Sequence, residues 1–249
     1  DLQKFWRGFV VTCAPIGFIT LLVVIEDFGT AALIGVVAFS MLLVGSVKRW
    51  HLFVCLPPVL AAAAYFVAGT PYRLARMTSF LDPWADARGQ GYHMVQSLLS
   101  FASGGLTGRG LGNGVQKLGY LPEDTTDFIF AVIAEELGLP GCMLVIFLLL
   151  AIVVCAWRAM NRMNLSDESR LLAFGVGLTI GVQSLINIAV ATVSMPTKGM
   201  SLPLVSAGGS GMIVTCAMLG LLASILRRSK SSSTEVIEEV CQSELPLPA

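Results

Sequence analysis

Six runs of the chain, Gly8–Ile25, Thr30–Val47, Leu52–Ala68, Leu137–Ala156, Leu171–Val193 and Leu202–Leu226, contain no Asp, Glu, Lys or Arg. Each is close to the length that crosses a bilayer. A helix rises about 1.5 Å per residue and the hydrocarbon core is about 30 Å thick, so about 20 apolar residues span it. Lipid offers the backbone no hydrogen-bond partner, so uncharged runs of this length become helices that satisfy their own amides. Composition agrees: 55% of the 249 residues are hydrophobic, 13% are charged and the mean hydropathy is +0.78, whereas soluble domains carry roughly 25% charged residues. The expected fold is an all-α, polytopic membrane protein with about six transmembrane helices. Formal net charge is zero, so no global field suggests nucleic acid as a partner.

The six cysteines lie mostly inside the apolar runs without CxxC or metal-type spacing, and read as small buried hydrophobes. The chain opens with Asp1, close to the first run and without a signal peptide. The expectation is a fragment or processed chain that lacks earlier membrane segments. No internal repeat is present.

Lys and Arg set orientation. Lys4, Arg7, Lys48, Arg49, Arg158, Arg162, Arg170, Arg227, Arg228 and Lys230 fall on one side if the spans alternate, and that side is assigned as cytoplasmic. The membrane domain is then 1–228, with the long segment 69–127 extracytoplasmic and a polar, disordered cytoplasmic tail at 229–249. Within 69–127, Phe80–Trp84 reads as a turn. Tyr92–Ala102 reads as a helix lying on the membrane surface, with Met94, Leu98, Leu99 and Phe101 on one face. Residues 128–136 precede the fourth span and extend it beyond the bilayer thickness, which places them in the outer interface or inside a protein groove.

The chemistry concentrates just before that span. Asp127 stands between Thr125-Thr126 and an apolar run beginning at Phe128. Two compatible uses fit it: a carboxylate at a helix start, favoured by the dipole, or a partly buried proton acceptor of raised pKa. Glu135 and Glu136 lie two to two and a half turns further on, either facing the same groove or solvated among head groups. Glu123 follows Pro122 in a loop. Arg73, Arg76, Arg109, Lys117 and Lys198 are outer-face cations suited to a diphosphate, and equally to anionic lipid head groups. The run Gly104–Gly114 lacks the context of a nucleotide loop; its glycines allow close backbone approach or simple flexibility. Gln183 and Asn187, four apart, share a helix face and serve interhelical hydrogen bonding or a cavity. Met195–Gly211, which includes Ser206 and carries two prolines and a Gly-Gly-Ser cluster ending at Ser210, implies irregular backbone held inside protein.

These residues, taken in order, resemble the SEDS family (shape, elongation, division and sporulation; the FtsW/RodA/SpoVE group). The resemblance rests on Glu26-Asp27-Phe28-Gly29-Thr30, Phe80-Leu-Asp-Pro-Trp84, Gly89–Ser97, Gly104–Gly114 and Gln116-Lys117. It continues through Leu121-Pro122-Glu123, Thr126–Phe130, Glu135–Gly138 and Pro196–Gly211. Gln116–Glu123 is closer to the FtsW branch than to RodA. Thr125 stands where the family commonly has His, and Ala207 where it often has Tyr. The family has about ten spans, so the chain resembles its C-terminal six.

The resemblance implies a peptidoglycan glycosyltransferase of the bacterial cytoplasmic (inner) membrane that joins lipid II units into glycan strands at the outer face during cell division. Asp127 aligns with the catalytic aspartate, the general base for the acceptor 4-hydroxyl. Arg76, Arg109, Lys117 and Lys198, with Glu123, Ser206 and Ser210, are the expected substrate-binding residues, and Glu135, Glu136, Gln183 and Asn187 the supporting ones. The metal is unknown; a divalent cation, Mg or Mn, is compatible with a diphosphate. Implied partners are lipid II, undecaprenyl-diphosphate-linked glycan, a class B penicillin-binding protein transpeptidase and divisome proteins. A lipid II flippase and a non-catalytic division scaffold that regulates its transpeptidase are the rival readings.

Overall fold

The computed structural model describes residues 10–45, 49–69, 71–161 and 165–243. Lys4, Arg7, Lys48 and Arg162 lie outside the described residues, as do the side chains of Arg49, Arg73, Arg228 and Lys230. The described chain is helical: α1 Val11–Glu26, α2 Phe28–Val44, α3 Arg49–Ala68, α4 Pro71–Leu81, α5 Tyr92–Gly104, α6 Ile129–Met160, α7 Asp167–Ala191 and α8 Gly209–Ser243. A 3₁₀ turn at Gln116–Leu118 lies between α5 and α6. Each predicted span coincides with a helix. Three of the described helices, in α6, α7 and α8, are long and apolar enough to cross a membrane, and α1 and α2 are shorter apolar helices. Large apolar side chains such as Leu139, Met143, Phe147, Leu185 and Ile213 are exposed along them. A face of this size is incompatible with water and suits lipid. The chain is a multi-pass membrane protein.

The structure moves several boundaries. The helix of the sixth predicted span, α8, starts at Gly209, because residues 197–208 form an irregular loop. Helix α8 continues to Ser243, so the backbone of 229–243 is helical where a disordered tail was expected; Val236, Ile237, Val240 and Cys241 have the matching spacing. Segment 69–127 carries two helices, and α4 was not foreseen. Its signal is Pro71 at the first position, with Leu74, Met77 and Leu81 at helical spacing. Helix α5 forms as expected, but it buries Met94, Val95, Ser97 and Ser100 and packs on α6. Ser97 donates to the Ala191 carbonyl at the end of α7 (2.5 Å), tying α5 to that helix as well.

Helices α6 and α7 form the most extensive interface. Small residues allow it: Ala156, Ala159 and Ala173 bury together with Val176 and Ile180 and with Leu222 and Ile225 of α8. Without a hydrophobic drive between helices in lipid, such close van der Waals packing holds the bundle. A second cluster, Leu121, Phe128, Ala131, Val132 and Val190, fixes the start of α6 against α7. Residues 128–136 therefore lie in a protein groove. Of the described cysteines Cys142 is buried, whereas Cys155 and Cys216 are exposed on lipid-facing helices rather than buried as expected.

Helix α6 breaks at Gly138, whose φ of 63° and ψ of −154° suit glycine alone. Pro140 follows, with no N–H to give to the Glu136 carbonyl. The glycine-rich run repairs both faults. Arg109 N–H donates to the Glu135 carbonyl (3.0 Å) and Gly110 N–H to the Glu136 carbonyl (2.9 Å). The side chains complete the junction. The Glu135 carboxylate is 1% exposed and accepts from the amides of Val115 (3.0 Å) and Gln116 (3.1 Å) and from the Ser103 hydroxyl (3.4 Å). Glu136 accepts from the amides of Gly112 (3.1 Å) and Gly114 (3.3 Å). The run is a folded cap on the broken helix, not a flexible linker. At Gly104 a Cβ would stand 1.9 Å from the Ala134 carbonyl oxygen, so α5 meets α6 only through glycine.

Glu135→Ala leaves two amides facing a cavity, at about 1–3 kcal/mol for each unsatisfied group. It is expected to lower the unfolding temperature in detergent and expose Gly105–Tyr120 to protease. Gly104→Ala is expected to do the same by forcing α5 off α6; wild-type melting and protection in both variants would refute the account of the junction.

Candidate active site

The turn at residues 125–127, before α6, is held from behind by α7 and the loop that follows it. Three consecutive carbonyls each accept one hydrogen bond: Thr125 from the Ala207 amide (2.9 Å), Thr126 from the Ser206 hydroxyl (2.6 Å), and Asp127 from Asn187 Nδ2 (2.8 Å). The same residues organise the loop. Asn187 Nδ2 also donates to the Met200 carbonyl (2.6 Å), Gln183 Nε2 donates to the Ser201 carbonyl (2.9 Å), and the Leu202 amide donates to Ser206 Oγ (2.6 Å). Gln183 and Asn187 do share a face, and it is turned to backbone carbonyls. Ser206 is buried, with its hydroxyl engaged on both sides. It fixes backbone rather than presenting itself to a ligand. Ser210 lies exposed in the first turn of α8.

Asp127 is half-buried on this frame. The N-cap position of α6 is Phe128, and no side chain caps it, so Asp127 is not spent on a cap. Burial, then the charges of Glu123 and Asp27, raise its pKa to about 6, against an opposing effect of Arg76. Gly199 leaves room beside it, since a Cβ there would lie 3.3 Å from Asp127 Oδ2. Glu123 belongs to the same turn: its backbone holds φ 56°, and its carboxylate accepts from the Thr126 hydroxyl (2.8 Å).

Two neighbours were missed as site residues. Asp27 is the N-cap of α2, accepting from the Gly29 amide (2.7 Å) and from the Thr30 hydroxyl. Its Asp-x-Gly-Thr pattern is a legible cap, yet the pattern says nothing of the aspartate a hundred residues on. His93, near the start of α5, stacks on Phe128 with ring centroids 5.9 Å apart. Burial first, then Arg76, lowers its pKa despite Glu123, so the ring is neutral at pH 7.

The nominated cations divide into two pairs. Arg76 of α4 donates to the Thr197 carbonyl (3.4 Å), near Asp127 and His93. Lys198 lies over the Phe28 ring, 5.5 Å from its centroid, and burial lowers its pKa while Asp27 raises it. By contrast, Arg109 pairs with Glu135 (3.5 Å) and Lys117 with Glu136 (2.7 Å). Those four residues knit the cap on α6. Among the described residues no group of three His, Cys, Asp or Glu could hold a metal ion. The arrangement therefore offers one elevated carboxylate, two further acids, two cations and a neutral imidazole at one end of the helices. It can accept a proton beside a bound anion.

The sequence profile described as Cell cycle protein, FTSW_RODA_SPOVE, matches residues 2–231. The chain is 43% identical over 230 residues to "Probable peptidoglycan glycosyltransferase FtsW" of Coxiella burnetii, covering 90% of this chain and 61% of that protein. It is 41% identical over 235 residues to the protein of the same name from Dichelobacter nodosus, covering 92% and 58%. The chain thus spans about three-fifths of the length of these relatives. Its fold matches a chain from a solved structure described as "Structural coordination of polymerization and crosslinking by a peptidoglycan synthase complex". The TM-score is 0.63 at 30% identity, over 92% of this chain and 65% of that one. With its motifs, spans and helical frame in the same order, the chain belongs to the FtsW/RodA/SpoVE family of cell cycle proteins, the SEDS family.

Proposed function

We propose that the whole protein polymerises lipid II into glycan strands at the outer face of the bacterial cytoplasmic membrane during cell division, with Asp127 as general base. The observation that carries this reading is the half-buried carboxylate of Asp127, raised to about 6 on a backbone stapled at three successive carbonyls. A base of that strength is ionised at pH 7 yet accepts a proton more readily than an ordinary aspartate. The relatives named above are peptidoglycan glycosyltransferases by name, and this supports the same substrate class here.

In the proposed step, Asp127 takes the proton of the acceptor sugar's 4-hydroxyl. The oxygen forms a bond to the anomeric carbon of the donor, whose bond to the diphosphate breaks. Undecaprenyl diphosphate leaves with the electron pair, and a single displacement inverts that carbon. Arg76, which acts on Asp127, and Lys198, which acts with Asp27, meet the diphosphate charge, whereas Arg109 and Lys117 serve the cap on α6. A class B penicillin-binding protein is the proposed partner that crosslinks the product, alongside the division machinery. Gathering of the charged groups at one end of the helices favours this chemistry over a flippase, which needs a polar path through the bundle.

Asp127→Asn in the full-length protein with its transpeptidase is expected to cut glycan polymerisation from lipid II by about 10²–10⁴-fold, with folding intact. Undiminished polymer from a correctly folded variant would contradict the assignment. Asn187→Ala is expected to lower kcat by roughly 10–100-fold through displacement of the base, with a far smaller change in KM for lipid II. A change confined to KM would show that Asn187 serves substrate binding instead.

A further inference from the structure

Beside Asp127 lies a cleft of about 200 Å³ lined by Arg76, Gly89, Gln90, His93 and Thr197. It is smaller than the roughly 300–1,000 Å³ of clefts that take drug-sized ligands, so it suits one six-membered ring. Its walls are prearranged. Asp86 accepts from the amides of Gly89 (3.0 Å) and Gln90 (2.8 Å), and its carbonyl accepts from the Gly91 amide (3.0 Å), which fixes the turn that presents Gln90. His93 is fixed by its stack on Phe128, and its Nδ1 is buried without a protein partner. Thr197 is held by Arg76.

The lining chemistry is mostly neutral. Gln90 offers a donor and an acceptor, burial of Nδ1 leaves His93 only its Nε2 to face the cleft, and Thr197 offers a carbonyl oxygen shared with Arg76. Arg76 is the one cation among the five lining residues, and it faces the carboxylate of Asp127. One offset cation is too little for a diphosphate alone. A mix of donors and acceptors around a ring-sized space is what hydroxyl and acetamido groups on a pyranose require.

We infer that this cleft is a monosaccharide subsite that holds the terminal N-acetylated sugar of the acceptor, with Gln90 and His93 as its specificity-determining residues. The inference rests on the polymerase reading for which sugar occupies the cleft, and its first test does not depend on turnover. Saturation-transfer NMR on the full-length Asp127→Asn protein, with N-acetylglucosamine as the probe, is expected to show binding that Gln90→Ala abolishes. Gln90 is exposed and its side chain holds no other element, so that variant should fold; His93→Gln is the second. In the enzyme with Asp127 intact, both variants are expected to raise KM for lipid II about tenfold with a much smaller change in kcat. Sugar binding lost in Gln90→Ala, in a protein whose parent makes no polymer, would sink the polymerase reading and leave the subsite standing. Polymer formed with unchanged KM, and a sugar signal unchanged in both variants, would overturn the subsite alone.

Discussion

The structure depends on three hydrogen bonds given to three consecutive carbonyls. Thr125, Thr126 and Asp127 sit in a turn that neither helix nor sheet would satisfy. Ala207, Ser206 and Asn187 supply the donors. Unpaired, the part-buried carbonyls of Thr126 and Asp127 would carry some of the desolvation cost of a buried polar group. The staple also joins two halves of the site. Asn187 bonds Asp127 and Met200 with one amide group, so one side chain ties Asp127 to the loop bearing Lys198. Preorganisation of this kind is what lets a carboxylate act at a defined place.

The same logic governs the other face of α6. A break at Gly138 and a proline two residues later leave carbonyls without helical partners, and the glycine-rich run brings amides to them. Glu135 and Glu136 then act as acceptors for the loop rather than as chemistry. This division gives carboxylates close in sequence different surroundings. Asp127 has its backbone held and its side chain left available, whereas Glu135 has its side chain buried among donors.

Much of the fold was legible because its signal is local. Uncharged runs of bilayer length fall on helices α1 to α3 and α6 to α8, and the four-residue spacing of Gln183 and Asn187 does put them on one face. The partners of those amides were not legible, since they lie on loops 60 residues away for Asp127 and 13 for Met200. Asp27 and His93 escaped for the same reason: each is an ordinary cap or helix residue until the chain folds. Arg109 and Lys117 show the converse. Charge type alone suits a diphosphate, but only the fold reveals that Glu135 and Glu136 already engage them. Motif order singled out Asp127, and the fold leaves it half-buried with its backbone held and no helix to cap.

The central claim is that Asp127 acts as a base whose strength is set by burial and by the acids around it. The most direct measurement is the pH dependence of kcat/KM for lipid II polymerisation by the full-length protein with its transpeptidase. If Asp127 is the base, its ionisation is expected to make the rate rise with pH along an acid limb centred at about 6. Glu123→Gln removes a negative charge that raises this pKa, so the limb is expected to move to lower pH. A rate that stays flat down to the ordinary carboxylate range of about 4, or a limb that Glu123→Gln leaves in place, would contradict the account.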